Sequence, residues 1–175
     1  MKFVSTPLDG AYLVRPELIE DERGFFARSF CAEEFGAQGL ARAVSQCNIS
    51  WNRKRGTLRG LHYQARPHAE AKIVRCTRGS IWDVIVDLRP HSATRHRWHA
   101  VELNADNRLA LYVPEDFAHG FQTLADDTEV LYQMSESHHP DSARGLRWDD
   151  PRLKIAWPLP NPILSERDRS YPLLP

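Results

Sequence analysis

The sequence has no surplus of charge of either sign, because 23 lysine and arginine residues balance 23 aspartate and glutamate residues. A chain without a broad basic field is not expected to bind nucleic acid, and one without an acidic run is not expected to carry a solvating tail. We therefore expect no nucleic-acid partner. Any anionic ligand would have to be met by local positive charge.

Long apolar runs are also missing, since nowhere do about 18 uninterrupted apolar residues occur, the length that a membrane-spanning helix needs. The N-terminal stretch, residues 1–14, lacks a basic segment followed by an apolar one, which is the pattern of a secretory signal. We expect a cytoplasmic protein without a membrane partner. Its 175 residues suit a single domain spanning residues 1–175.

Cysteine is scarce, with Cys31, Cys47 and Cys76 as the only three residues of this type. Their odd number and the absence of a C-x-x-C spacing disfavour both a disulfide framework and a zinc knuckle. We expect reduced and mostly packed thiols.

Helical periodicity is rare, and the only helix predicted lies near Cys31–Leu40, where two glycines interrupt it. Short apolar and β-branched runs instead recur about every ten residues, separated by turn residues. Without crossover helices a parallel sheet is excluded, so the pattern predicts an antiparallel β-sandwich or jelly roll with a small-molecule site at its mouth. In residues 80–88 the alternation places Asp83 inside.

An arginine and a histidine lie three residues apart in the strand-like run 56–64. Alternation sends Arg59 and His62 to opposite faces unless Gly60 introduces a bulge that resets the register. With a bulge, the two side chains would share one pocket. The planar guanidinium of Arg59 would suit a phosphate, and the imidazole of His62 could act as a base near neutral pH. Without it, a surface arginine beside a packed core histidine is the simpler interpretation.

A metal site has to be weighed, because His62, Glu70 and His119 are similar to the ligands of metal-binding cupin barrels. Gln64 stands where such a site usually has a second histidine, and an amide is a poor ligand for a transition metal. The sequence therefore favours a site without a metal.

Three further residues have simple interpretations when each is considered alone. Lys72 would be an ordinary solvated lysine, Tyr132 an aromatic side chain packed in a sheet, and Asp168 a loop carboxylate.

Seven separated motifs, in this order and spacing, resemble those of the dTDP-4-dehydrorhamnose 3,5-epimerase family: Asp21–Phe30, Leu58–Gln64, Ala71–Arg89, Pro114–Leu124, Glu129–Gln133, Arg147–Pro158 and Ile163–Asp168. The resemblance covers nearly the whole chain. It implies a mainly-β fold of the cupin jelly-roll type, with few short helices. It also implies epimerisation of a nucleotide-linked 4-keto-6-deoxyhexose without a cofactor, in deoxysugar and polysaccharide biosynthesis.

Carried over residue by residue, the resemblance implies that His62 is the catalytic base, oriented by Asp168, and that Tyr132 is the general acid. Lys72 would lie near the keto oxygen of the sugar. Further substrate contacts are implied for Arg23, Phe26, Gln46, Asn48, Arg59, His119 and His138, with the two arginines at the pyrophosphate. The family is also homodimeric, and its N-terminal region joins the sheet and site of the partner.

The reaction itself requires a base and an acid such as His62 and Tyr132, because inverting a carbon beside a ketone needs these two groups on opposite faces of the ring. The developing enolate needs donors aimed at its oxygen, which Lys72 could supply. Ser137 and His138, however, replace the usual Tyr-Tyr pair, and Ala143 stands near an expected glutamate. A different nucleotide, a different 4-keto sugar, or inversion at C3 or C5 alone stays open. A metal-dependent cupin enzyme and a non-catalytic binding module are the rival hypotheses.

Overall fold

The computed structural model describes residues 1–174, so Pro175, the last residue of the predicted domain, lies outside it. The strands are β1 (Lys2–Ser5), β2 (Tyr12–Arg15), β3 (Leu18–Asp21), β4 (Gly24–Ala27), β5 (Gln46–Asn52), β6 (Leu58–Gln64), β7 (Lys72–Arg78), β8 (Ser80–Asp87), β9 (Trp98–Asn104), β10 (Ala110–Val113), β11 (Phe117–Thr123), β12 (Thr128–Met134) and β13 (Ala143–Gly145). The helices are α1 (Ala32–Ala37), a 3₁₀ turn at Pro140–Ser142, and α2 (Glu166–Ser170).

Two antiparallel sheets carry the fold. One has the order β1-β2-β10-β7-β12-β5 and the other the order β13-β6-β11-β8-β9, while β3 and β4 form a separate hairpin. The predicted mainly-β sandwich is confirmed. That residues 1–175 form a single domain stays a prediction.

The main core lies between the two sheets and takes residues from both. Val74, Leu111 and Val130 come from the six-stranded sheet, and Ile85 and Phe121 from the five-stranded sheet. All five side chains are buried, which is the largest favourable contribution to folding. Asp83 is fully buried as well, as the alternation in β8 predicts.

The outer face of each sheet is covered by a different part of the chain. On the six-stranded sheet, Phe35 of α1 packs with Ile73 and Tyr112, so the predicted helix is confirmed, although it is shorter than Cys31–Leu40. On the five-stranded sheet, the C-terminal segment contributes Leu146 and Leu153. This segment carries α2 and brings its residues to β6.

The predicted bulge at Gly60 is confirmed. His119 lies opposite His62 and Phe121 lies opposite Arg59, so Gly120 alone faces the two residues between Arg59 and His62. The φ angle of Gly60 is +136°, a value that residues with a side chain rarely adopt. A Cβ atom there would lie 2.5 Å from the Cα atom of Gly120. Only a glycine pair lets the strands approach this closely.

The strands β1, β3 and β4 were not predicted, because no residue in them is buried and they show no alternation, and β13 was not predicted because three residues are too few to show one. None of the helices in residues 1–174 has the length and apolar character needed to cross a membrane.

Candidate active site

A cavity of about 270 Å³ opens between the two sheets, at the end where β6, β7, β11 and β12 bring polar side chains inward. Its lining includes Asn48, Ser50, Arg59, His62, Lys72, His119, Phe121 and Tyr132. The Gly60 bulge therefore brings Arg59 and His62 to one cavity, as predicted.

His62 forms the shortest polar contact at this cavity. Its Nε2 atom lies 2.6 Å from Oδ1 of Asp168, which follows the N-cap Ser165 in helix α2. Burial alone would raise the pKa of Asp168, but hydrogen bonds from His62, the Ser165 hydroxyl and the Gly60 backbone outweigh it and lower that pKa. Asp168 is thus an ionised carboxylate at neutral pH, able to orient the ring of His62 and to stabilise its imidazolium form.

Tyr132 places its phenol in the same cavity. The hydroxyl group lies 3.3 Å from the hydroxyl group of Ser50, and the ring makes an edge contact with His119 at a centroid distance of 6.2 Å. Burial raises the pKa of Tyr132, so the phenol keeps its proton at neutral pH. A protonated phenol in a cavity is a group that can donate a proton to a developing carbanion.

Lys72 is buried, unlike the solvated lysine that its position considered alone would suggest. Its Nζ atom lies 3.1 Å from Oε1 of Glu70 and donates to the carbonyl oxygen of His62 at 3.1 Å. The side chain therefore enters the cavity beside the histidine, with its charge compensated by a carboxylate that is itself buried. A fixed ammonium group can stabilise negative charge that develops on a substrate oxygen.

A second histidine and carboxylate pair flanks the cavity. Nε2 of His119 lies 2.8 Å from Oδ1 of Asp83, and both side chains are nearly inaccessible to solvent. Since His119 and His62 are direct cross-strand neighbours, the two pairs lie side by side on β11 and β6.

The residues of the metal hypothesis do not converge on one point. His62 contacts Asp168, Glu70 contacts Lys72, and His119 contacts Asp83. Over residues 1–174, no three of the histidine, cysteine, aspartate and glutamate side chains are arranged to hold a metal ion. All three groups are thus engaged with a carboxylate or a cation that a metal would have to displace, so the site does not fit a metal centre.

Arg59 joins this cavity to a second one. Its Nε atom donates to the side-chain oxygen of Asn52 at 2.7 Å, which holds the guanidinium beside His62. The second cavity has a volume of about 290 Å³ and is also lined by Arg59 and His62, together with Tyr63, Gln64, His138, Arg144, Ser165, Arg167, Asp168 and Tyr171. His62 therefore stands where a larger ligand could extend from one cavity into the other.

The structure brings most of the predicted substrate contacts to these two cavities. Asn48 lines the first, and His138 lines the second. Gln46 joins the two, because its amide donates to Asn48 at 3.0 Å and accepts from the backbone of His138 at 3.0 Å.

Two predicted contacts, Arg23 and Phe26, lie elsewhere. Both belong to the β3–β4 hairpin, neither lines either cavity, and 72% of Phe26 is exposed. Arg23 pairs instead with Asp21. Within one chain these two residues do not meet His62.

Sequence reasoning missed several residues of the site. Ser50, Asn52, Ser165, Arg167 and Tyr171 lie at the cavities or hold residues that do. Ser165 had a usable signal, because a serine before a short charged run is a common N-cap. The others have no local signal, since their roles depend on pairings between distant strands.

The sequence is similar to known proteins along nearly its whole length. The family model for dTDP-4-dehydrorhamnose 3,5-epimerase matches residues 5–175. A dTDP-4-dehydrorhamnose 3,5-epimerase from Methanothermobacter thermautotrophicus is 44% identical over 173 residues, which cover 97% of this chain and 92% of the relative.

Solved structures have the same fold. A dTDP-4-dehydrorhamnose 3,5-epimerase from Bacillus anthracis with TDP and PPi bound superposes with a TM-score of 0.95 at 42% identity, covering 99% of both chains. A 3'-monoepimerase from Streptomyces bikiniensis in complex with dTDP-quinovose superposes with a TM-score of 0.88 at 34% identity, covering 96% of this chain and 85% of the other. The predicted fold and family are confirmed.

Proposed function

Because the chain belongs to the dTDP-4-dehydrorhamnose 3,5-epimerase family, we propose that it epimerises a dTDP-linked 4-keto-6-deoxyhexose at C3 and C5. The observation that carries this proposal is the arrangement of His62, Asp168 and Tyr132 around one cavity. A base, its orienting carboxylate and a protonated phenol are the groups that epimerisation beside a ketone requires.

His62 acts as the base. The carboxylate of Asp168, held at 2.6 Å from Nε2, orients the ring and stabilises the positive charge that His62 acquires when it removes a proton from C3 or C5. The other ring nitrogen of His62 is the atom that takes this proton. Asp168 is a positioning residue, since it acts through the histidine.

Tyr132 returns a proton to the opposite face of the ring, which inverts the carbon. Its raised pKa suits this role, because a phenol that stays protonated is ready to donate. Between the two proton transfers the negative charge rests on the keto oxygen, and the buried ammonium group of Lys72 stabilises it.

The nucleotide part of the substrate extends past His62. Arg59 provides a guanidinium for the pyrophosphate, and Arg167 lines the second cavity beyond it. The nucleoside then lies near His138, where Ser137 and His138 replace the usual tyrosine pair. The dTDP assignment rests on the relatives that bind TDP or a dTDP sugar. Turnover of dTDP-, UDP-, GDP- and CDP-linked ketosugars, compared as kcat/KM, tests it.

A second candidate is inversion at C3 alone, which the likeness to the 3'-monoepimerase favours. The two candidates share base, acid and fold. They differ in whether the C5 proton also exchanges with solvent. A single NMR spectrum of the product formed in D₂O distinguishes them.

We also infer a homodimer. The β3–β4 hairpin and strand β5 expose large apolar side chains, with Ile19 69% and Ile49 66% exposed. Exposed patches of this kind mark protein interfaces. A dimer would explain why Arg23 and Phe26 lie away from their own cavity, since the hairpin could reach the site of a second copy. Light scattering on the purified protein at micromolar concentration tests this; a monomer would contradict it.

The direct test of the proposed function is NMR of dTDP-4-dehydro-6-deoxyglucose incubated with the protein in D₂O. We expect deuterium at C3 and C5 and conversion to dTDP-4-dehydrorhamnose. His91→Ala, at an exposed histidine away from both cavities, is the matched control and keeps full activity. Absence of exchange with this and every other 4-keto nucleotide sugar would refute the proposal.

A further inference from the structure

Gln64 lies at the end of β6, two residues beyond His62, and both residues line the second cavity. An amide stands here where a metal-binding cupin has a second histidine, and the proposed reaction uses it for no step. The residue is only 3% exposed. A buried amide needs partners for its donors and its acceptor, so these partners show what Gln64 does.

The amide of Gln64 forms hydrogen bonds with backbone groups of two loops. Nε2 donates to the carbonyl oxygen of Ser137 at 3.1 Å and to that of His68 at 3.0 Å. Oε1 accepts from the backbone N–H of His139 at 2.6 Å. Ser137 and His139 are the two neighbours of His138 in the chain. One amide therefore brackets His138, because it bonds to the residue before it and to the residue after it.

Two other contacts fix the same segment. The backbone N–H of His138 donates to Oε1 of Gln46 at 3.0 Å. The rings of His68 and His139 stack, with their centroids 3.5 Å apart and an angle of 11° between the planes. Since Gln46 belongs to β5 and Gln64 to β6, the backbone around His138 is held from both sheets.

The side chain of His138 is exposed and lines the second cavity. An exposed side chain has few packing contacts, so its place depends largely on the backbone that carries it. A binding site whose groups are already in place loses less conformational freedom when the ligand arrives, and it binds more tightly for that reason. The amide of Gln64 restricts the backbone on both sides of His138 before any ligand is bound.

We propose that Gln64 is a positioning residue for the nucleotide, because its amide holds His138 and its neighbours as the wall against which the nucleoside binds. This role rests on the proposed function, which places the nucleoside near His138. The contacts of the Gln64 amide are to the loops and not to the reacting carbon. Loss of the amide should therefore weaken nucleotide binding and leave the proton transfers intact.

Calorimetric titration with dTDP, UDP, GDP and CDP, compared between the unmodified chain and Gln64→Met, tests this role. Methionine is similar in size to glutamine but cannot donate to the two carbonyl oxygens. We expect the Kd of the tightest-binding nucleotide to rise about tenfold. In steady-state kinetics the KM of the nucleotide sugar should rise with it, whereas kcat should change far less.

Gln122→Met is the matched control. Gln122 is fully buried as well, and its amide bonds to the backbone N–H and carbonyl groups of Leu159, both at 2.9 Å. It lines neither of the two cavities around His62. The control variant should also lower the free energy of unfolding, because it leaves buried backbone groups without partners, but it should not change the Kd of the nucleotide.

Gln64→Glu keeps the test decisive if Gln64→Met does not fold. A carboxylate retains the acceptor for the N–H of His139, but it faces the carbonyl oxygens of His68 and Ser137 without a proton to donate. The Kd of the nucleotide should again rise severalfold.

Four results would overturn the role of Gln64. They are an unmodified chain that binds none of the four nucleotides, a Gln64 variant that binds as tightly as the unmodified chain, an equal loss of affinity in Gln122→Met, and a fall in kcat with an unchanged Kd. Failure of the proposed epimerisation gives a different result. In that case nucleotide binding would still depend on Gln64, but no sugar proton would exchange with solvent.

Discussion

Gly60→Ala tests how the candidate site is built, because the bulge at this residue brings Arg59 and His62 to one cavity. Two penalties add up in this variant. The φ angle of +136° disfavours any side chain, at a cost of about 1–2 kcal/mol. A Cβ atom 2.5 Å from Cα of Gly120 and 3.0 Å from the carbonyl oxygen of His119 also overpacks the strand pair, at a cost of about 1–3 kcal/mol.

Two control variants separate these penalties. Gly39→Ala places a side chain at a φ of +72° with no atom within 4 Å, so it carries the conformational cost alone. Gly120→Ala brings a Cβ atom to 2.7 Å from the carbonyl oxygen of Arg59, and it carries the steric cost alone because no positive φ is involved. The free energy of unfolding, measured by urea denaturation, should fall most for Gly60→Ala, by about 2–5 kcal/mol when the two costs add.

Activity gives a second, independent readout. At a temperature where each variant is folded, Gly60→Ala should lose turnover beyond its loss of stability, because moving the bulge separates Arg59 from His62. Gly39→Ala should keep full turnover. A Gly60→Ala protein as stable and as active as Gly39→Ala would refute the argument that this bulge assembles the site.

Three other predictions concern single side chains. Lys72→Met should lower kcat about 10²–10³-fold with a small change in KM, measured by steady-state kinetics, because it removes a donor to the developing enolate. Asp168→Asn should lower kcat and alter the pH profile of kcat, whereas a merely structural change would leave that profile unmoved, because the carboxylate stabilises His62 as it becomes charged. For Asp87, burial alone would raise the pKa, but hydrogen bonds from Arg89 and two hydroxyl groups lower it to about 2; the carboxylate therefore stabilises the fold above its unfolded pKa of about 3.9. Asp87→Asn should then cost about 2–3 kcal/mol at pH 7 in urea denaturation, and the difference should vanish as the pH falls from about 4 to 2.

The periodicity of the sequence was enough to predict the class of the fold. Alternation in β8 predicts that Asp83 points inward, and the glycine between Arg59 and His62 predicts the bulge. Both follow from local rules, since strands alternate and only glycine tolerates the backbone angles of this bulge. Helix α1 was found for the same reason, because it has its own local pattern, whereas the five-residue helix α2 was not predicted.

Local sequence patterns could not predict which residues contact one another in the site. Lys72 alone resembles a solvated lysine, and its burial beside Glu70 depends on how β7 faces β6 across the sandwich. Asp168 reaches His62 over 106 residues of sequence, because the C-terminal segment folds back over the five-stranded sheet. Only the family resemblance paired these two residues. Periodicity did not predict the β3–β4 hairpin, because its apolar side chains are exposed rather than alternately buried.

The separate roles of His62 and Tyr132 are tested most directly by solvent exchange in two variants. In D₂O, Tyr132→Phe should still introduce deuterium into the 4-keto sugar, because His62 can remove a proton and return deuterium to the same face, but it should give no inverted product. His62→Ala should introduce none. Deuterium incorporation by His62→Ala at the rate of the unmodified protein would contradict the assignment of His62 as the base.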